Sequence, residues 1–182
     1  MFFKVVDKFL PKQVFNRLLD TVESDEFEWQ WSNSSAYDYN LHGDNNFMLN
    51  KMIYNNAKLG LGFHEDKKYS QLFYLIKDFQ DYIKPSRDLI RMKLNLYTNQ
   101  GKNIKHLKHC DITHGRRIDE NVMTSIFNFH SCNGSTVIEV GDKTEEVKSE
   151  ANQLIMFDNN WHYGVTQSDI PRRIVLNINV LK

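Results

Sequence analysis

Apolar and polar positions along this chain follow two different periods, and the change between them falls near residue 88. Residues 2–9 alternate well enough for a short strand, with Phe3 and Val5 on one side and Phe2 and Val6 on the other. Over 12–23, Val14, Leu18, Leu19 and Val22 recur at three- and four-residue steps just after Pro11, which predicts an amphipathic helix. Aromatic and polar residues then alternate over 27–31, the pattern of a half-buried strand. Residues 32–46 are rich in Ser, Asn, Asp and Tyr without a period and read as a long functional loop. No period decides 47–63. A second helix is predicted over 67–83, where Tyr69, Leu72, Phe73, Leu75, Ile76, Phe79 and Tyr82 cover one face and Pro85 follows the stop.

Beyond residue 88 the pattern is that of strands, predicted at 89–98, 104–111, 122–129, 135–140, 145–147, 153–157, 164–166 and 173–181. Turn signals separate them, among them Asn99-Gln100-Gly101, Asn133-Gly134 and Gly141-Asp142. Short strands at this spacing after two amphipathic helices predict a mainly β fold, a double-stranded β-helix or cupin-like jelly roll with both helices packed on one sheet. A length of 182 residues suits one domain, with 1–87 as helical support and substrate loops and 88–182 as the jelly-roll core.

Composition changes this picture little. The 12 Phe, 8 Tyr and 3 Trp fall in strand-like runs and favour a β-rich core. The 23 Lys and Arg balance the 23 Asp and Glu, which disfavours long nucleic acid and anionic membranes as partners. Cys110 and Cys132 have neither a metal-type nor a redox-type spacing, so a reducing, cytoplasmic compartment is expected. The N-terminus lacks the apolar region and cleavage site of a signal peptide, and no window approaches a membrane span.

The candidate chemistry centres on His109-Cys110-Asp111. In a strand, residues two apart share a face, so His109 and Asp111 would converge while Cys110 turns away. A third ligand follows the apolar run 154–157, in Trp161-His162. Two histidines and one carboxylate with open coordination positions suit the facial triad of non-haem Fe(II) oxygenases, whereas a closed zinc site would want a fourth ligand. Arg172 and Arg173 head the apolar strand 174–180, where burying an unpaired guanidinium has no inexpensive structural reason. A dicarboxylic cosubstrate supplies one, because arginine presents a planar fork to a carboxylate. Alternation puts Arg173, Val175, Asn177 and Asn179 on one face and Ile174, Leu176, Ile178 and Val180 on the other, which favours Arg173 over Arg172.

Taken in order, His109-x-Asp111, the Asn133-Gly134 turn, Phe157-Asp158, His162-Tyr163-Gly164-Val165-Thr166 and Arg173-Ile174-Val175-Leu176-Asn177 resemble the 2-oxoglutarate and Fe(II)-dependent dioxygenases. The pattern is most similar to small marine-bacteriophage oxygenases related to the prolyl-hydroxylase-like branch, which would place the protein in a host cytoplasm. The resemblance covers about residues 89–182. It implies that His109, Asp111 and His162 bind Fe(II) and that Arg173 pairs with the C5 carboxylate of 2-oxoglutarate. Family members often carry Ser two residues after this arginine; here the residue is Val175, and Tyr97 is the candidate replacement donor, with Asn95 beside it on the same strand face. The implied reaction couples O2 and oxidative decarboxylation of 2-oxoglutarate to succinate and CO2 with hydroxylation of a small molecule or peptide, and ascorbate is a conceivable auxiliary cofactor. Substrate contacts are expected from Tyr37 and Tyr39 and from 116–120, whereas His42, His64, His106, His114 and His130 receive no role. Two alternatives stay open: a cupin-like metal enzyme without an oxoacid, which leaves Arg173 unexplained, and a non-catalytic jelly-roll binding module, which leaves the His-Asp-His set unexplained.

Overall fold

In this computed structural model, the described residues are 1–36, 43–44, 46–56, 63–73, 89–114 and 117–182. The strands are β1 (Phe3–Val6), β2 (Gln30–Ser32), β3 (Met48–Asn55), β4 (His64–Glu65), β5 (Leu89–Thr98), β6 (Thr113–His114), β7 (Arg117–Ile118), β8 (Val122–Asn128), β9 (Ser135–Val140), β10 (Lys143–Lys148), β11 (Gln153–Asp158), β12 (His162–Val165) and β13 (Arg172–Leu181). The α-helix α1 spans Lys12–Glu23, as its apolar spacing predicts. A large antiparallel sheet has the order β1-β11-β8-β13-β5-β3-β2, with β4 added to β3, and a smaller sheet has the order β10-β9-β12. No helix among the described residues is long and apolar enough to cross a membrane.

The alternation along β13 sorts the interior. Ile174, Leu176, Ile178 and Val180 join Met92, Leu94, Leu96, Phe127, Leu154 and Met156 on the outer face of the large sheet, where Leu18 and Val22 of α1 cover them. Val175 turns the other way and packs with Ile126, Ile138, Ile155 and Phe157 between the two sheets. Apolar packing fills one part of the inter-sheet space, and polar residues from β5 and β13 line the rest. Phe127 is fully buried and meets Phe9, Phe15 and Phe129 edge-on at ring separations of 6.3, 6.2 and 5.1 Å, tying α1 and the N-terminal segment to β8. We therefore expect Phe127→Ala to cost about 3–5 kcal/mol of stability, measured by chemical denaturation; a loss below about 1 kcal/mol would contradict this packing account.

Three expectations need correction. The segment 104–111 is not a continuous strand. It runs beside β12 through isolated bridges, Lys105 to Val165 and His109 to His162. Three residues separate the bridges on one side and two on the other, so the segment carries one extra residue and bulges out of the ladder. The aromatic stretch 27–31 becomes strand only from Gln30, because Phe27 turns into a cluster with Trp29 and Tyr69, at 4.7 and 4.4 Å between ring centres. Of the second helix, Lys67–Phe73 is 3₁₀ with a break at Tyr69, and Tyr69 and Leu72 reach the outer core; the remainder, with Pro85, lies outside the described residues. The undecided stretch 47–63 contains β3, which pairs with β5 and widens the large sheet. Tyr37, Tyr39, His42 and Arg116 also lie outside the described residues.

Candidate metal centre and its cavity

His109 and Asp111 come from the bulged segment and its end, and His162 opens β12. Reciprocal backbone hydrogen bonds of 2.9 Å between His109 and His162 place the two imidazoles side by side, with ring centres 4.6 Å apart. Asp111 Oδ1 lies 3.8 Å from His109 Nε2 and Asp111 Oδ2 lies 3.9 Å from His162 Nε2. One ligand atom from each residue falls within 4.8 Å of the others. Each imidazole is also oriented from behind. His109 Nδ1 donates to the Leu107 carbonyl at 3.1 Å, and His162 Nδ1 donates to the Asn160 carbonyl at 2.8 Å. A neutral ring that donates through Nδ1 presents its lone pair at Nε2, the nitrogen facing Asp111.

Asp111 is held as an anion. Burial by itself would raise its carboxyl, but the Arg91 guanidinium and the two facing imidazoles, with a hydrogen bond from Asn179, hold it well below the usual carboxylate range. Arg91 donates to Oδ1 at 2.8 Å, Asn177 Nδ2 reaches both oxygens at 3.1 and 3.0 Å, and Asn179 Nδ2 donates to Oδ2 at 3.0 Å. Arg91 and Asn179 are joined in turn at 2.9 Å. Burial, with repulsion from His162, pulls His109 down to about 4, so its ring is neutral at pH 7. Two imidazole nitrogens and one fixed carboxylate form a donor set that fits a divalent transition metal.

These three residues border a cavity of about 250 Å³ that also touches Arg91, Lys93, Asn95, Tyr97, His106, Thr136 and Arg173. Ser32, Ser34 and Ser35 close it on the side of β2, braced by Asp44, which accepts from the Ser34 hydroxyl and the Ser35 amide. Arg173 is 1% exposed. Its Nη1 donates to the carbonyls of Ser135 and Val165, and its Nη2 to Asn128 and Thr136 side chains. No carboxylate of the described residues pairs with it, and its Nε is buried without an acceptor. Burial works against the charge, yet a guanidinium stays protonated in proteins. Gly134, in the predicted turn, lets this side chain pass: a Cβ there would lie 2.9 Å from the Val165 carbonyl and 3.3 Å from Arg173 Cδ.

The remaining sequence candidates divide. Tyr97 faces Arg173 across paired β5 and β13, and burial pushes its hydroxyl up to about 12, so it is a phenol at neutral pH. Asn95 also borders the cavity, with its Oδ1 buried and unbonded. Arg172 does not: its side chain is exposed on the far side of β13 and bonds Glu23 of α1 at 3.0 and 3.2 Å, so its role is to fasten the helix. Cys110, expected to turn away from the ligands, borders the cavity because the chain bends at Asp111 and breaks the alternation. His106 was overlooked. It is 5% exposed, lies tilted against Tyr97 with ring centres 5.0 Å apart, and has a buried Nε2 without a partner. Measuring histidines by their spacing to Asp111 could not find it, because the bulge turns His106 inward.

Burial also lowers His106 to about 4. The unfolded chain therefore takes up protons at His106 and His109 below about pH 6.5 that the folded chain refuses. For a histidine depressed in this way, stability is fully present above the unfolded value and is lost as pH falls through the folded one. Metal-free protein is expected to melt several degrees lower at pH 4.5 than at pH 7, before Asp111 adds a second loss below about pH 4. A melting temperature flat from pH 7 to 4.5 would contradict the neutral burial of these rings.

No protein-family model matches the chain, and no curated protein is similar to it in sequence. The fold does have relatives among solved structures. A 2OG-Fe(II) oxygenase family oxidoreductase from Burkholderia pseudomallei superposes with a TM-score of 0.71 at 9% identity, covering 98% of this chain and 85% of that one. A Trichoplax adhaerens prolyl hydroxylase, solved with a hypoxia inducible factor peptide fragment, gives 0.66 at 12% identity over 97% and 82% of the two chains. A Pseudomonas putida prolyl-4-hydroxylase gives 0.64 at 14% identity over 99% and 91%. This chain has the jelly-roll fold of the 2OG-Fe(II) oxygenases, as its strand pattern and ligand order predict.

Proposed function

We propose that this protein is an Fe(II)- and 2-oxoglutarate-dependent dioxygenase that hydroxylates its substrate with release of succinate and CO2. The observation that carries the reading is the presence, in one cavity, of the His109-Asp111-His162 donor set and a buried arginine that no carboxylate of the described residues neutralises. The fold shared with 2OG-Fe(II) oxygenases supports it. A cupin-like enzyme without an oxoacid leaves Arg173 unexplained, and a binding module leaves the donor set unexplained.

In this reading His109, Asp111 and His162 hold Fe(II), which supplies the redox chemistry that activates O2 against the oxoacid. Arg91, Asn177 and Asn179 keep Asp111 ionised and fix its direction. The carbonyls of Leu107 and Asn160 keep both imidazoles in the tautomer that binds metal. Arg173 receives the distal carboxylate of 2-oxoglutarate, and the Tyr97 phenol is the neighbouring donor. Val175 supplies no hydroxyl, but Thr136 and Asn128, which bond Arg173 from β9 and β8, bring polar groups to the same end of the cavity. The apolar packing of Ile126, Ile138, Ile155, Phe157 and Val175 between the sheets shields one side of the reacting centre from water.

The test is the stoichiometry of turnover. Purified protein given Fe(II), 2-oxoglutarate and O2 should form succinate, slowly even without substrate, and a chelator should stop it. Absence of succinate from protein that binds Fe(II) would reject the oxoacid and return weight to the cupin-like alternative.

A further inference from the structure

The face of β5 toward the cavity carries Arg91, Lys93, Asn95 and Tyr97 in succession, and two of these the dioxygenase reading leaves unused. Arg91 is saturated by Asp111 and Asn179, and Tyr97 lies opposite Arg173. Lys93 lies opposite Asn177, the residue that grips Asp111, in the middle of the large sheet between β13 and β3. Its ammonium has no hydrogen bond or ion pair with any described residue. Burial, with Arg91 beside it, pulls Lys93 down to about 8 against the attraction of Asp111, so it is still mostly charged at pH 7. Two residues along, Asn95 is 8% exposed and its Oδ1 is buried with no donor to satisfy it. Buried polar groups in folded proteins are almost always bonded, so the Asn95 oxygen calls for a donor, and the half-buried Lys93 ammonium on the same cavity wall calls for an anion.

The charge of the cavity points the same way. Its described lining holds three cations, Arg91, Lys93 and Arg173, against one carboxylate, Asp111. A divalent metal and a dicarboxylate cosubstrate cancel each other and leave that positive excess in place. Asp44, the next carboxylate, is saturated by Ser34, Ser35 and Asn46 and stands outside the lining. The excess disfavours an uncharged internal residue of a peptide and favours an anion. A cavity of about 250 Å³ is small for two ligands, so the anion is small.

Building on the dioxygenase reading, we propose that the substrate is a small free acid of net negative charge, a hydroxy acid or an amino acid with an acidic side chain, its carboxylate received by Lys93 and its adjacent N–H or O–H donated to Asn95 Oδ1. Recognition of this kind selects the free acid over its amide, because the amide brings no charge to the lysine and leaves it unpaired in the cavity wall.

The experiment is an anaerobic titration of Fe(II)- and 2-oxoglutarate-loaded protein with the free L-amino acids and the matching short-chain 2-hydroxy acids, each beside its primary amide. A doubly blocked tripeptide series is run in parallel, and binding is read by calorimetry. At least one free acid should bind tenfold or more tightly than its amide. Lys93→Met should abolish that preference, and Asn95→Asp, which sets a second carboxylate against the ligand, should weaken the same acid at least tenfold. Far-ultraviolet circular dichroism checks the folding of both variants. A panel in which no free acid outbinds its amide, or in which the blocked peptides bind best, overturns the proposal. So does a Lys93→Met protein that keeps the acid preference but needs far more 2-oxoglutarate to form its visible chelate band, which would give the lysine to the cosubstrate. If the wild-type protein shows no such band, the dioxygenase reading fails, and the same panel on unloaded protein still decides whether this wall receives a carboxylate.

Discussion

Asp111→Asn is expected to weaken Fe(II) binding by more than about 100-fold and to remove turnover. Several physical effects act together at this residue. The amide loses the anion that a divalent ion needs, and it cannot accept hydrogen bonds through both termini as the carboxylate does from Arg91, Asn177 and Asn179. Arg91, with 17% of its side chain exposed, is then left as an uncompensated cation beside the vacated position. Removing one partner of a largely buried pair commonly costs about 3–5 kcal/mol. The metal-free variant should therefore melt well below the metal-free wild type, and the two losses can be separated. Equilibrium dialysis reports the metal affinity, and a melt without metal reports the pairing. Tight iron binding by the variant would show that Asp111 is an ion-pair residue and not a ligand.

Arg173→Met is expected to raise the 2-oxoglutarate requirement by two to three orders of magnitude while leaving Fe(II) affinity within a fewfold. Truncating one member of a buried charge pair costs about 2–5 kcal/mol, and each 1.4 kcal/mol is a factor of about ten in binding. Methionine keeps much of the volume between β9, β12 and β13, so the fold should survive, although the Ser135 and Val165 carbonyls lose their donor. Arg173→Lys keeps a charge without the fork and should recover only part of the affinity. Anaerobic titration of the chelate absorption with 2-oxoglutarate measures the shift. An unchanged midpoint in Arg173→Met would make the arginine a strut of the sheet junction and would withdraw the residue assignment on which the cosubstrate reading rests.

Arg173 illustrates how far local pattern reaches. Strand alternation alone separates Arg173 from Arg172, and the structure puts the first into the cavity and the second onto Glu23. The same alternation along 89–98 sets Lys93, Asn95 and Tyr97 on one face; Arg91 also lies on that face, but its importance could not be seen. It depends on Asp111, 20 residues away in sequence, arriving within 2.8 Å of the guanidinium. His106 was missed for a related reason. One extra residue against β12 changes which side chains turn inward, and backbone pairing between distant segments leaves no periodic trace in either of them.

The sequence by itself determined the helix α1, most strands beyond residue 88, the jelly-roll class and the order in which the metal-type residues occur. These features follow from the period of apolar positions and from turn residues, which act over a few neighbours. Only the tertiary structure decided that His109, Asp111 and His162 converge, that Asp111 is locked by Arg91, Asn177 and Asn179, and that Lys93 and Asn95 line the cavity, the Asn95 oxygen without a partner. The physical reason is that ionisation, desolvation and hydrogen-bond satisfaction depend on which groups share a few cubic ångströms. In a two-sheet fold, long-range strand pairing brings those groups together from segments that are far apart in the chain.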